Sequence, residues 1–151
     1  MTDYKPENPA KTYLRRYRAA LYRQASLIRT LNALRERQTD CTVKLRAVQV
    51  QSGGWASDRM AEEVVKAIEL EEQILQAERD AARVLAEIME AINAVPDEMQ
   101  KTVLVLRYVE GLDWLTVADK IGYEIANTYI LHGRALWAVN KWLGTKKGQS
   151  L

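Results

Sequence analysis

The sequence predicts an all-α protein, a long antiparallel helical hairpin followed by a small domain of three helices, and three observations carry that expectation. Ala, Leu, Glu, Arg, Gln and Lys dominate the 151 residues, Phe is absent and there are only 3 Pro and 7 Gly, a composition that favours helix and leaves little material for strands. Apolar residues recur at every seventh position on either side of one Gly-Gly pair. That repeat stops at Val95-Pro96, beyond which shorter segments are punctuated by Gly111, Gly122 and Gly144.

The first helix is expected from about Lys11 to about Val48, with Leu14, Leu21 and Ile28 seven apart and Tyr17, Leu31 and Leu34 filling the same stripe. In QSGGWASD (Gln51 to Asp58), Gly53-Gly54 breaks it, and Ser57 or Asp58 can cap the second helix by accepting a backbone hydrogen bond. The second helix, about Asp58 to Val95, repeats through Ala61, Ile68, Leu75, Ala82 and Met89, with Val64, Leu85 and Ile92 on the adjoining row. Two heptad-like helices joined by a short loop read as an antiparallel hairpin spanning 1–95.

The charge distribution supports this pairing. Residues 1–50 hold 11 Lys/Arg against 4 Asp/Glu, residues 51–100 hold 4 against 12, and residues 101–151 hold 7 against 4, although the whole chain is only +2. A basic helix beside an acidic one satisfies both and disfavours parallel self-pairing of either. Each exposed pair contributes only ~0.2–1 kcal/mol, so the apolar stripes must supply most of the stability. The hairpin also offers a route to a homodimer.

The domain expected at 96–151 begins with Pro96 in the first helical position and Asp97 and Glu98 in the turn where the helix dipole favours acids. Its first helix carries Met99, Val103, Leu106 and Val109 on one face and ends at Gly111. Asp113 reads as an N-cap, with Leu112 and Val117 in the N′ and N4 positions of a hydrophobic staple, and opens a short helix from Trp114 to Ile121. Gly122 closes that helix as a left-handed C′ residue, and a third runs from about Ile125 to about Leu143, before Gly144. Short helix, glycine turn and longer helix have the spacing of a helix-turn-helix.

Several chemistries drop out. One Cys (Cys41) and one His (His132) build no disulfide framework, zinc site or Cys/His dyad, so no cofactor or metal is expected. The acids of helix two (Glu62, Glu63, Glu69, Glu71, Glu72, Glu78) have the regular spacing of a charged helix surface rather than a catalytic constellation, and the expected protein is not an enzyme. No apolar run approaches the ~20 residues of a spanning helix, and the opening MTDYKPENPAK lacks a signal-peptide core, so a cytoplasmic protein with no membrane association is expected. Trp114, Trp137 and Trp142 are assigned to the core of the small domain and Trp55 to a contact role in the loop. Gly133, inside a helix, suggests close backbone approach, and His132 a packing or hydrogen-bonding role.

Quoted whole, AVPDEMQKTVLVLRYVEGLDWLTVADKIGYEIANTYILHGRALWAVNKWL (Ala94 to Leu143) resembles region four of sigma-70-type factors. The likeness lies in LRYVEGLDW (Leu106 to Trp114), Val117-Ala118, the turn at Ile121-Gly122-Tyr123, and LHGRAL (Leu131 to Leu136). SGGWASDR (Ser52 to Arg59) extends it to small phage and prophage proteins that set a helical hairpin with a Gly-rich loop ahead of such a domain. The resemblance implies a sigma-like transcription regulator in a bacterial host cell, binding double-stranded DNA and acting with RNA polymerase.

In that reading Ala118 is small where the helices cross, and Leu131, Ala135 and Val139 point back at the first two helices. The opening turns of the third helix enter the major groove. Here they read Glu124, Ile125, Ala126, Asn127, Thr128, Tyr129 and Ile130, which removes bidentate Arg from base reading but leaves Asn127 to pair with an adenine edge and Ile125 or Ala126 to touch a thymine methyl. The alternative is that Ile125 and Ile130 pack against another surface, making the domain a docking module that reads no bases. Lys120, Arg134, Lys141, Lys146 and Lys147 are the cations in reach of phosphates, a thin set that calls for dimerisation, tethering to polymerase or help from the arginines of helix one (Arg15, Arg16, Arg18, Arg23, Arg29, Arg35, Arg37).

Overall fold

The computed structural model describes the backbone of residues 6–48 and 55–149 and the side chains of 6–40 and 58–148. Five α-helices follow one another: α1 (Pro9–Val48), α2 (Trp55–Asn93), α3 (Glu98–Leu104), α4 (Trp114–Ile121) and α5 (Ile125–Gln149), with a π-helical turn, Val105–Val109, continuing α3. No strand occurs among the described residues. The all-α class is thus as the composition requires. The Gly53-Gly54 break lies outside the described residues. Because α2 begins at Trp55, Ser57 and Asp58 sit inside its first turn instead of capping it.

Two compact units divide the chain, one formed within 1–20 and 81–151, the other within 21–80. In the first, the core takes Ala10 and Leu14 from α1, Val84, Ile88, Ala91, Ile92 and Val95 from α2, Leu104 and Tyr108 from α3 and its π turn, and Ala135, Leu136 and Val139 from α5. The division expected at residue 95/96 therefore does not mark a break in packing. α3 to α5 bury one side only, and the first turns of α1 and last turns of α2 supply the opposing apolar surface, each fully buried Leu, Ile or Val contributing about 1.5–3 kcal/mol. Arg16 pairs with Glu87 at this junction, and the Tyr13 hydroxyl donates to the Glu87 carbonyl at 3.4 Å.

α2 corrects the expected register. Ile68 and Leu75 are more than half exposed, Ala61 and Ala82 are exposed, and Met89 is only half-buried, so the row read as the seam is largely an outer one. Of the adjoining row Ile92 is buried as expected, Leu85 is half-buried and Val64 exposed; the other buried positions are Ala81, Val84, Ile88, Ala91 and Val95 in the first unit and Ala77 in the second, with Ala67, Leu70 and Ile74 half-buried. Both rows repeat at seven, so the period alone does not choose between them. In the second unit Leu31 is the buried anchor of α1, and Arg35 pairs with Glu71 at 2.5 Å.

The start of α3 also differs in detail. Asp97, not Pro96, forms the boundary: its extended backbone and its carboxylate, accepting from the Gln100 N–H at 2.9 Å, make it the N-cap. Further on, the Glu110 N–H reaches the Val105 carbonyl at 3.0 Å, an i to i−5 bond that adds one residue to the turn. Leu104 and Tyr108, four residues apart, share the inner face, while of the expected face only Val103 is fully buried and Met99, Leu106 and Val109 are half-buried. Gly111 ends the segment at φ +73° beside the Arg18 guanidinium, which a Cβ at this position would displace.

Candidate nucleic-acid interface

α4 and its turn are built from short-range chemistry. The Asp113 carboxylate accepts from the Thr116 N–H at 2.8 Å and from its hydroxyl at 2.9 Å, which holds the carboxyl below its ordinary pKa. At the other end Gly122 adopts φ +73°, its N–H donating to the Asp119 carbonyl at 3.2 Å while the Tyr123 N–H donates to Ala118 at 3.1 Å. This paired closure is a Schellman motif. It leaves Val117 and Ala118 buried against α5 and aims the chain into Glu124, whose carbonyl accepts from the Thr128 N–H at 3.0 Å to open α5.

The opening turns of α5 have one inner and one outer side. Glu124, Ile125, Ala126, Asn127 and Tyr129 are exposed, as are Lys120 on α4 and Arg134 and Lys141 further along α5. Thr128 is the exception among the expected contact residues. It is fully buried, and its hydroxyl donates to the Glu124 carbonyl at 3.0 Å, so it shapes the turn and offers nothing to a ligand. Lys141 lies with Nζ 5.4 Å from the Trp137 ring, and Lys146 stands over Trp142 at 4.9 Å and pairs with Glu90 at 3.8 Å, so these cations are already partly engaged. α5 continues through Gly144 to Gln149, placing Lys146 and Lys147 in its last turn.

Behind that surface lies a polar and aromatic support not read from the sequence. The Tyr108 hydroxyl and His132 Nε2 are 2.7 Å apart, the Trp114 ring meets His132 edge-on at 4.5 Å and Tyr129 at 5.2 Å, and the Arg107 guanidinium caps Trp114 at 4.8 Å while donating to the Leu112 carbonyl at 2.9 Å. Burial, reinforced by the positive charges of Lys11, Arg107 and Arg15, lowers the His132 pKa to about 4, and burial raises that of Tyr108. At neutral pH His132 is therefore uncharged, and it shares one hydrogen bond with the Tyr108 hydroxyl. The arrangement fixes Trp114, and through it Tyr129, against the base of α5.

Trp137 was expected in the core and is instead 67% exposed. Spacing held the signal for this: Thr128, His132, Ala135 and Val139 occupy the inner face, and Ile130, Gly133, Trp137 and Lys141 follow the opposite one. Gly133 is not a close-approach position either, since a Cβ there would meet nothing within 4 Å. Leu115, Tyr123 and Ile130 add to the exposed apolar surface around the turn. Trp142 is half-buried and meets Tyr13 edge-on at 6.1 Å. Trp55 falls where no side chain is described.

No family model, curated protein or solved structure matches the chain. Among the described residues, no helix is long and apolar enough to cross a membrane.

Proposed function

We propose that the protein is a sigma-like, DNA-binding transcription regulator of phage or prophage type that acts with RNA polymerase and has no catalytic activity. The observation that carries this reading is the outward presentation of Glu124, Ile125, Ala126, Asn127 and Tyr129 on the first turns of a long helix, immediately after a capped short helix and a left-handed glycine turn. A duplex groove admits a helix presented in this way. Asn127 then reads an adenine edge, Ile125 and Ala126 meet thymine methyl groups, and Lys120, Arg134 and Lys141 hold phosphates. With so few cations, one copy binds weakly at physiological salt, and occupancy depends on polymerase or a second copy.

Fluorescence anisotropy with a set of phage and prophage promoter duplexes at ~50 mM salt tests the assignment. Asn127→Ala should change the ranking of sequences, whereas Lys141→Ala should weaken all of them alike and reduce the salt dependence. Absence of saturable binding to every duplex, or equal losses on all sequences for both variants, would remove α5 as a reader of bases.

The exposed Leu115, Tyr123, Ile125, Ile130 and Trp137 favour one second reading, docking on polymerase or another regulator without base contacts. Protection of a defined operator by the purified protein alone would exclude it.

A further inference from the structure

In the unit formed by residues 21–80, the outward side of α2 carries an exposed apolar seam. Val64, Val65, Ile68 and Leu75 are 50–54% exposed, while Leu70 and Ile74 are half-buried and Ala77 is buried on the opposite side of the same helix. Ala61, Val65, Ile68, Glu72 and Leu75 follow one another at intervals of four and three, the spacing of the two core positions of a coiled-coil heptad. From Ala61 to Leu75 the seam rises ~21 Å, enough for two heptads of contact. Arg79, next in the series, ends it. Acids stand on both flanks, at the positions that set partner choice between such helices: Glu62 and Glu69 along one edge, Glu71 and Glu78 along the other. Of these, Glu71 is engaged by Arg35. Lys66 is the one cation in the sequence from 61 to 78, and it lies about 160° round the helix from Ile68, facing away from the seam.

This charge pattern selects among occupants. The acids repel the phosphates of a duplex and the headgroups of an anionic membrane. The same seam of a second copy would set Glu against Glu along its edges in either orientation. Glu72 also opposes a purely apolar partner, because its carboxylate would be buried without a counter-charge. What fits is a helix of the opposite sign, apolar along its own seam, with Lys or Arg on its flanks and one cation facing Glu72. We propose that this face of α2 docks a basic amphipathic helix of a protein partner. Val64, Val65, Ile68 and Leu75 supply the contact area, the flanking acids choose the partner, and Glu72 fixes the register. The inference does not rest on DNA binding, which concerns α4 and α5 in the other unit, and either reading can fail alone.

Fluorescence anisotropy of a labelled synthetic peptide of about three heptads tests it, the peptide carrying Leu along its seam, one central seam Lys, and Lys on both flanks. One control peptide has the same composition with its leucines dispersed around the helix, and a second has Glu in place of every Lys. At ~50 mM salt, where charge is little screened, the full chain should bind the first peptide saturably. Both controls should bind at least about tenfold more weakly, a difference of 1.4 kcal/mol. Leu75→Gln should weaken binding by a similar factor with the helical circular dichroism unchanged. Joint Glu62→Lys, Glu69→Lys, Glu72→Lys and Glu78→Lys substitution should move the preference to the Glu peptide. Absence of saturable binding overturns the proposal, as does equal binding of the dispersed peptide or an unchanged preference in the charge-reversed chain. Loss of helical signal in both variants would overturn it by showing the face to be part of the fold. A wild-type dimer in sedimentation velocity that Leu75→Gln dissolves would overturn it by assigning the seam to a second copy.

Discussion

His132 shows how a single buried group ties acid sensitivity to the support of α5. Its ordinary pKa is 6.5, and burial beside Tyr108 and Trp114 brings it to about 4. Between those values the unfolded chain takes up a proton that the folded chain refuses, so this contribution to stability is complete above pH 6.5 and is lost as the pH falls towards 4. The loss reaches up to about 3 kcal/mol by proton linkage. His132→Gln keeps a hydrogen-bonding partner for the Tyr108 hydroxyl and carries no titration, so its urea-unfolding stability should fall less steeply than the wild type's between pH 6.5 and 4.5. Parallel slopes would show that His132 is not held neutral. Gly133, one residue on, makes a simpler prediction. Its Cβ position is open and its φ is not left-handed, so Gly133→Ala should stabilise the protein by about 0.5–1 kcal/mol, read as a higher Tm. A lower Tm would mean that something approaches this helix after all. The packing or hydrogen-bonding role of His132 is legible from a lone His inside a helix, but its partners Tyr108 and Trp114 are not, because they come from other elements of the unit.

At the scale of elements, local chemistry was legible and the choice between equivalent faces was not. The Asp113 cap and the Gly122 turn are legible from neighbouring residues alone because each is satisfied by backbone groups within a few positions. α2 is the contrary case. It carries two apolar rows at the same seven-residue period, and only packing against α1, α3 and α5 selects Ile88 and its neighbours over Ile68 and its neighbours. Thr128 and Trp137 exchanged their expected places for a related reason, since a helix crossed by neighbours on one side only has its inner arc set by where they lie. The register makes a direct prediction. Ile88→Ala should cost about 2–5 kcal/mol in chemical unfolding, and Ile68→Ala less than about 1 kcal/mol. The reverse order would restore the register expected from the sequence.

For the whole molecule, the informative feature is that the unit bearing α4 and α5 is completed by distant segments of the chain. The break at Val95-Pro96 was visible as composition, but it is a change of helix within one core. Leu14, fully buried there, lies more than 80 residues from α3. No pattern confined to 96–151 announces that need, because the apolar surface of Leu104, Ala135 and Val139 looks complete as three amphipathic helices. Leu14→Ala should therefore destabilise the unit containing α5 by about 2–5 kcal/mol, measured as loss of amide protection in α4 and α5. Unchanged protection there would show the small domain to be self-sufficient.

The central claim is that the opening turns of α5 meet a DNA duplex. It is tested most directly by backbone amide chemical-shift mapping of the full chain during titration with promoter duplex at ~50 mM salt, where even weak phosphate-driven binding is populated. The account predicts that the largest perturbations gather at Gly122 to Ile130, with smaller ones at Lys120, Arg134 and Lys141. Perturbations confined to other surfaces, or none at saturating duplex, would contradict it.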